Sequence, residues 1–251
     1  LVHNKPKSLI AESLRAIRTN LQFIDNSEGP KLIAITSTIS SEGKTFFAMN
    51  LAGILAFSNK RVIVIDLDMR MPKIHLGFNV VNDKGISTIL SNIDDIDSCI
   101  RSSKIKNLDF ITAGPPPPNP SELILTPQMA LLIDNLKSKY DYVIVDNPPV
   151  GIVTDGMQSI IMADYPIYIL KANYSDKLFI QNINMIMHEN HVAKLSVVLN
   201  AVDKEYSSYA HEKGYSYGYY YYDSADEHGY YDDHALSPKR RLWNRILRFW
   251  K

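Results

Sequence analysis

The segment LIAITSTISSEGKT, residues 32–45, decides the fold. Its four leading apolar residues predict a short buried strand, a loop rich in serine and threonine follows, and the apolar stretch after Thr45 predicts a helix. Strand, loop and helix in this order are the context in which a Gly-Lys-Thr sequence binds phosphate. Gly43 lets the backbone turn tightly beside a phosphate, Lys44 would reach the β and γ phosphates, and Thr45 would place its hydroxyl on Mg²⁺.

The match to a phosphate loop is incomplete, because Thr38 stands where the general pattern has glycine. The alternative is an ordinary strand–helix turn that carries an exposed lysine. The strand before the loop and the apolar helix after it favour nucleotide binding. The residues predicted to contact the nucleotide from this loop are Ser40, Ser41, Glu42, Gly43, Lys44, Thr45 and Phe46.

Further short apolar runs follow the first one along the chain. Strands are predicted at 32–35, 62–65, 108–111, 143–145, 167–170 and 196–199. Several are continuously apolar, which is typical of strands buried on both faces in a parallel sheet. Helices are predicted at 8–21 with Ser8 as its cap, at 45–57 and at 123–137, and the proline-rich stretch 114–120 is predicted to be irregular. The sequence therefore predicts an α/β fold with a mostly parallel, doubly wound sheet of the P-loop NTPase class.

Acidic side chains follow two of the predicted strands directly. Asp66 and Asp68 come after 62–65, and Asp146 comes after 143–145. Ligands bind at the C-terminal ends of strands in such sheets, and Mg²⁺ prefers one or two carboxylates together with phosphate oxygens and water. Asp146 suits the metal, whereas Asp66 and Asp68 are candidates for holding the metal or accepting a proton. Each would otherwise be an aspartate in an ordinary turn, and the coincidence with the phosphate loop favours a site.

Composition limits the classes of protein to which the chain can belong. Of its 251 residues 45% are hydrophobic, and its formal net charge is zero, which removes any global argument for nucleic-acid binding. The single cysteine, Cys99, excludes an internal disulfide and fits a reducing cytoplasm. No apolar run approaches the roughly 18 residues needed to span a bilayer. Because the chain begins with Leu1, we expect a piece of a longer protein, with room for membrane spans in the missing part.

The sequence predicts three parts, which are a P-loop domain at 1–202, a tyrosine-rich tail at 203–234 and a basic segment at 235–251. The tail holds ten tyrosines, eight acidic residues and two lysines, with few aliphatic residues to bury. The last 13 residues carry six basic side chains and no acid. Their tryptophan, phenylalanine and leucine content is typical of a helix that lies on an anionic membrane surface. Docking onto the acidic tail or a partner domain is the alternative.

Taken together, the motifs resemble the Wzc-like bacterial tyrosine kinases, which regulate capsule and exopolysaccharide synthesis. The resemblance rests on the phosphate loop and on the two aspartate motifs at 65–70 and 143–149. It also includes Glu12-x-x-Arg15-x-x-Arg18, which is similar to the family's oligomerisation motif, together with the proline-rich loop and the closing tyrosine cluster. It covers nearly the whole of the chain from residue 5 to residue 231.

The resemblance implies an ATP-dependent protein-tyrosine kinase that uses Mg²⁺ and phosphorylates the tail of another copy of itself. The expected acceptors are Tyr215, Tyr217, Tyr219, Tyr220, Tyr221, Tyr222, Tyr230 and Tyr231. It implies a ring-like homo-oligomer built through Glu12, Arg15 and Arg18, and a cognate tyrosine phosphatase. It also implies a membrane-spanning segment fused upstream or a separate membrane activator. The expected location is the cytoplasm, at the inner face of the cell membrane.

Within the site, the resemblance assigns a role to each group. Lys44 and the loop amides would bind the phosphates, while Thr45 and Asp146 would hold Mg²⁺. Asp66 would help to hold the metal and would lie near the attacking hydroxyl. Because a free phenol is neutral at pH 7, a carboxylate would accept its proton during attack, and Asp66 or Asp68 is the candidate.

Three residues and two rival functions remain open at this point. Arg70 would pair with phosphate oxygens or form a surface salt bridge, and Asn200 would contact adenine or end a turn. Asn147 stands where the family has threonine or serine, and its amide is expected to replace that hydroxyl near the metal. The rivals are a MinD- or ParA-like ATPase, whose acceptor is water, and a non-catalytic scaffold that binds nucleotide. The tyrosine-rich tail favours the kinase.

Overall fold

The structure is a computed structural model that describes residues 6–24, 27–151, 156–192 and 194–203. Within this part of the chain, seven strands form one sheet in the order β3-β4-β2-β5-β1-β6-β7. The strands are β1 Lys31–Ser37, β2 Val62–Asp66, β3 Arg101–Ser102, β4 Leu108–Ile111, β5 Tyr142–Asp146, β6 Tyr165–Lys171 and β7 Ser196–Asn200. All neighbouring pairs are parallel except β3 and β4. The predicted mostly parallel sheet is confirmed.

Helices cover both faces of the sheet. They are α1 Leu9–Ile24, α2 Lys44–Phe57, α3 Ile74–Phe78, α4 Ile86–Leu90, α5 Ile96–Cys99, α6 Pro120–Ile124, α7 Pro127–Lys139, α8 Met157–Met162 and α9 Phe179–Glu189. The predicted cap of α1 is confirmed, because Ser8 Oγ accepts the backbone N–H of Ala11 at 3.3 Å. No helix among the described residues is long and apolar enough to cross a membrane.

The central strand β1 is buried along its whole length because helices pack against both of its faces. On one face, Ile33 packs in a core with Leu14 of α1 and Leu51 of α2. On the other face, Leu32 packs in a second core with Leu132 of α7. Replacing a buried leucine of either core with alanine is expected to cost about 2–5 kcal/mol of stability.

Two local features differ from the predictions. The helix predicted at 123–137 is divided into α6 and α7, because Pro127 has no backbone N–H to continue a helix and instead begins the second one. The two-residue antiparallel strand β3 is too short to leave a periodic signal in the sequence. The tail tyrosines and the basic terminal segment lie beyond residue 203, outside the described residues.

The parallel register brings three strand ends to one edge of the sheet. Asp66 at the end of β2 pairs in register with Asp146 at the end of β5, and Asp146 pairs on its other side with Ile35 of β1. The phosphate loop leaves β1 after Ser37 and enters α2 at Lys44. This edge therefore gathers the loop and the strand-ending carboxylates that the sequence pointed to.

Candidate active site

The phosphate loop has a conformation that turns its amides inward. Ser41 has φ 68° and Gly43 has φ 102°, both in the left-handed region. Left-handed residues that alternate with residues of negative φ make successive N–H groups converge into an anion-binding concavity, here at the start of α2. The positive φ of Gly43 favours glycine, and a Cβ atom there would lie 2.1 Å from Asn200 Nδ2, so a larger residue would displace the Asn200 amide from the loop.

Lys44 is almost fully buried at the first turn of α2, with 7% of its surface exposed. Burial lowers the pKa of its ammonium group, and the nearby carboxylates of Asp146 and Asp68 partly offset that effect. A buried cation beside a converging set of amides is well suited to a polyphosphate.

The Thr45 hydroxyl and Asp146 form the centre of the site. Thr45 Oγ1 donates a 2.5 Å hydrogen bond to Asp146 Oδ2. The other oxygen, Asp146 Oδ1, is buried and has no hydrogen-bond partner among the described residues. Burial raises the pKa of the Asp146 carboxyl to about 7, against the opposing effects of the Thr45 hydrogen bond and Lys44.

These groups fit a magnesium ion. Among the described residues, no cluster of three or more His, Cys, Asp or Glu side chains would hold a metal unaided. Mg²⁺ needs no such cluster, because it is usually held by one or two carboxylates together with substrate phosphates and water. The Thr45 hydroxyl and the unpaired Asp146 Oδ1 provide donors of the required kind beside the phosphate loop.

Asp66 is fully buried and is held by three backbone groups. Its Oδ1 accepts the N–H of Asp68 at 3.2 Å, and its Oδ2 accepts those of Lys73 and Ile74, each at 3.0 Å. Burial and the adjacent Asp146 raise the pKa of the Asp66 carboxyl well above its usual value. In this conformation Asp66 therefore secures the entry to α3, a role that sequence analysis did not foresee.

Asp68 is less deeply buried than Asp66. Its Oδ1 accepts the N–H of Met71 at 3.0 Å, the backbone of Arg70 also donates to its carboxylate, and 9% of its surface is exposed. Burial raises the pKa of the Asp68 carboxyl, while the Met71 hydrogen bond and Lys44 oppose the shift. Lys73 lowers the pKa of Asp68 as well, which marks it as a second cation near the site. Sequence analysis missed Lys73, because an exposed lysine in a loop carries no motif.

The structure gives other partners to two predicted site residues. Arg70 Nη2 donates to Ser121 Oγ at 3.0 Å, so it contacts α6, and phosphate binding by Arg70 stays a prediction. Asn147 is fully buried, donates from Nδ2 to the carbonyl of Ile35 at 3.2 Å, and accepts from Ser159 Oγ at 2.5 Å. Its amide is thus engaged within the protein, and a part for Asn147 near the metal stays a prediction.

A second group of residues holds the phosphate loop from the side of β6 and β7. The buried carboxylate of Glu42 accepts the N–H of Ile39 at 2.9 Å and the hydroxyl of Ser175. Asn200 Nδ2 donates to the Glu42 carbonyl at 2.9 Å. Lys171 Nζ donates to the carbonyl of Ser41 at 3.3 Å. Sequence analysis placed Ser41, Glu42 and Asn200 at the site. It missed Lys171 and Ser175, whose only signal is their position after a predicted strand.

Predicted oligomerisation residues lie on α1, away from the phosphate loop. Arg15 pairs with Glu12 at 2.7 Å and donates to the carbonyl of Pro6 at 2.6 Å. Arg18 donates to the hydroxyl of Ser58. The contacts are all within one chain, and about a third of the Glu12 and Arg15 side chains remains exposed. Their part in assembly stays a prediction.

Comparison with known proteins shows the family to which the chain belongs. A family model described as an AAA domain matches residues 30–197. The chain is 36% identical over 173 residues to the tyrosine-protein kinase YwqD of Bacillus subtilis, covering 69% of this chain and 73% of that protein. The chain belongs to the bacterial tyrosine-protein kinases. It is also 32% identical over 230 residues to the tyrosine-protein kinase Wzc of Salmonella typhi, covering 89% of this chain but only 30% of that protein.

Solved structures support the assignment of this chain to the bacterial tyrosine kinases. The kinase domain of the Escherichia coli tyrosine kinase ETK matches with a TM-score of 0.75 and 30% identity, over 81% of this chain and 80% of that one. MinD from Pyrococcus horikoshii matches with a TM-score of 0.56 and 20% identity, over 67% of this chain and 68% of that one. The MinD likeness shows a shared P-loop NTPase fold, and MinD is therefore only a distant relation.

Proposed function

We propose that this kinase binds Mg-ATP at the phosphate loop and transfers the γ-phosphate to tyrosines in the tail of a second copy of the chain. The observation that carries the proposal is the buried, unpaired Asp146 Oδ1 beside the Thr45 hydroxyl and Lys44. A buried carboxylate oxygen without a partner is costly, and a bound magnesium ion with its water would remove that cost. The reaction would regulate capsule or exopolysaccharide production.

The protein's contribution to the transfer is positioning and charge neutralisation. Lys44 and the inward-facing loop amides would bind the β and γ phosphates. Thr45 and Asp146 would hold a magnesium ion, which would supply positive charge to neutralise the phosphates. Asn200 lies against Gly43 at the edge where β7 ends, and it would border the base of the nucleotide.

The acceptor phenol must lose its proton during attack, and we assign that proton to Asp68. Asp66 has both oxygens engaged by backbone N–H groups, so a phenol would have to displace one of them. Asp68 is 9% exposed, whereas Asp66 is fully buried, and Asp68 borders Lys44 and Lys73. Its raised pKa makes it a stronger base than an ordinary aspartate.

The tail would act as substrate because of its composition. Ten tyrosines in an acidic segment with few aliphatic residues give it little to bury against its own domain. Each phosphate adds roughly −1.5 to −2 charge, so several would make the tail repel itself and leave a neighbouring subunit. We extend the proposal to a homo-oligomer assembled through Glu12, Arg15 and Arg18, to a membrane segment or activator that recruits it, and to a phosphatase that resets it.

Labelling with γ-phosphate-labelled ATP tests the proposal. The chain should acquire label on tyrosine, and a variant with its ten tail tyrosines replaced by phenylalanine should lose most of it. Both proteins should bind nucleotide equally, because the tail lies outside the phosphate loop. Release of free phosphate without labelled tyrosine would indicate an ATPase, and neither product would indicate a nucleotide-binding scaffold. Full label on the tail variant would exclude the tail as the main acceptor.

A further inference from the structure

One tyrosine of the domain itself differs from the others in its exposure. Among the tyrosines of the described residues, Tyr140, Tyr165 and Tyr168 are buried and Tyr142 is partly buried. Tyr174 is 48% exposed. A kinase modifies only a phenol that can reach another protein's phosphate-binding site, so Tyr174 is the tyrosine of the described domain that a kinase could reach without unfolding it.

Tyr174 lies directly on the phosphate loop. It follows β6 in a turn in which its N–H donates to the carbonyl of Lys171 at 3.2 Å. Its hydroxyl donates to the carbonyl of Ser40 at 3.2 Å. The Lys171 ammonium lies 4.7 Å from the centroid of the Tyr174 ring and also donates to the carbonyl of Ser41 at 3.3 Å. The phenol and its neighbouring cation therefore both touch the loop assigned to the phosphates.

We propose that Tyr174 is itself a phosphoacceptor, and that its phosphorylation weakens the binding of ATP; the proposal rests on the kinase function above. In the reaction, a bond forms between the phenol oxygen and the γ phosphorus as the bond from that phosphorus to the bridging oxygen breaks. ADP leaves with the electron pair. The phenol proton passes to the carboxylate that serves the tail reaction in the donor copy, assigned above to Asp68.

The effect on ATP follows from the contacts that the modification changes. Phosphorylation removes the hydrogen that the hydroxyl donates to Ser40, and it places phosphate oxygens against a carbonyl oxygen. The added charge of roughly −1.5 to −2 would pair with Lys171 and draw it from the Ser41 carbonyl. The phosphate loop would lose two contacts and gain a negative neighbour, and a triphosphate with the same sign of charge would bind less tightly.

Neighbouring charges on the same turn support this outcome. Ser175 donates its hydroxyl to the buried carboxylate of Glu42, one residue along the chain from Tyr174. The Glu42 carboxylate is already engaged by Ser175, whereas the Lys171 ammonium lies over the Tyr174 ring and is the cation placed to pair with a phosphate there. The device would act as negative feedback, since a highly phosphorylated enzyme would hold less ATP.

Mass spectrometry on the whole chain tests the acceptor. The variant with ten tail tyrosines replaced by phenylalanine is incubated with Mg-ATP, and its phosphopeptides are mapped. Phosphate is expected on Tyr174, absent after a further Tyr174→Phe change, and retained in the matched control Tyr142→Phe. If the unaltered chain labels its tail while Tyr174 stays unmodified, the inference falls and the kinase function stands. If no tyrosine of either protein is labelled, both fall.

Nucleotide titration tests the consequence. The protein phosphorylated at Tyr174 is separated from the unmodified protein, and each is titrated with a fluorescent ATP analogue. The dissociation constant is expected to rise at least fivefold on phosphorylation and to return after treatment with a tyrosine phosphatase. Equal dissociation constants for the two forms would overturn the regulatory effect, even where Tyr174 carries phosphate.

Discussion

Thr45 Oγ1 donates a 2.5 Å hydrogen bond to Asp146 Oδ2 and so joins the first turn of α2 to the end of β5, across 101 residues of chain. The contact fixes the spacing between the phosphate loop and the carboxylate that we assign to magnesium. It leaves Asp146 Oδ1 buried and unpaired at the same point.

Replacing Lys44 with methionine should abolish tyrosine labelling while preserving the fold. The variant loses the buried cation that would bind the phosphates, and labelling is expected to fall at least about 100-fold. Methionine is unbranched and apolar, so the melting temperature should stay the same or rise. The control is Lys60→Met, at an exposed lysine, which should label normally. Substantial labelling by the Lys44→Met protein would remove this lysine from the mechanism.

Metal-free protein should become less stable between about pH 4 and pH 7 because of Asp146. Its folded pKa of about 7 lies above the ordinary aspartate pKa of 3.8, so the folded state binds the proton more tightly than the unfolded state. The contribution of the protonated Asp146 carboxyl to the free energy of unfolding is fully present below pH 3.8 and is lost as the pH rises through 7. In EDTA, the melting temperature of wild type should therefore fall more from pH 5 to pH 8 than that of Asp146→Asn.

The melting temperatures of wild type and Asp146→Asn, measured again with magnesium and nucleotide, supply the control. A bound cation stabilises the charged carboxylate, so ligand should raise the wild-type melting temperature at pH 8. The Asp146→Asn protein should gain much less. Parallel pH profiles for the two metal-free proteins would show that the Asp146 carboxyl titrates normally in the folded state.

Removing the Ser175 hydroxyl should loosen the phosphate loop. The buried Glu42 carboxylate would lose one of the two hydrogen-bond donors that it has among the described residues, which costs about 1–3 kcal/mol for a buried group. We expect Ser175→Ala to raise the KM for ATP several-fold with a smaller change in kcat. Ser175→Thr keeps the hydroxyl and should restore the KM. An unchanged KM in the alanine variant would show that the loop holds its shape without this contact.

Replacing both Arg15 and Arg18 with alanine should yield monomers without unfolding the domain. The Arg15–Glu12 pair is partly exposed and intrahelical, so its loss should cost under about 1 kcal/mol. Light scattering gives the mass, and circular dichroism checks the fold. Arg61→Ala removes a comparable surface ion pair, with Asp141, and should leave the mass unchanged. Assembly at wild-type mass by the double variant would place the interface elsewhere.

Local sequence determined the order and nature of the elements in this kinase. The six predicted strands are all present. The central strands are continuously apolar because both of their faces are buried, and the edge strand β7 has an apolar run although it is only partly buried. The phosphate loop could be predicted because one short segment supplies its strand, its glycine and its helix. The aspartates at the ends of β2 and β5 were also predicted as site residues, although their hydrogen-bond partners were not.

Only the tertiary structure decided which of these groups meet. The register that sets Asp66 beside Asp146 and the turn that lays Tyr174 on Ser40 depend on pairings between segments far apart in the chain. Periodicity describes which face a residue presents and carries no information about what lies opposite it. Asn147 shows the same limit, because its amide is directed to Ile35 and Ser159 by the packing of β1 against the loop after β5.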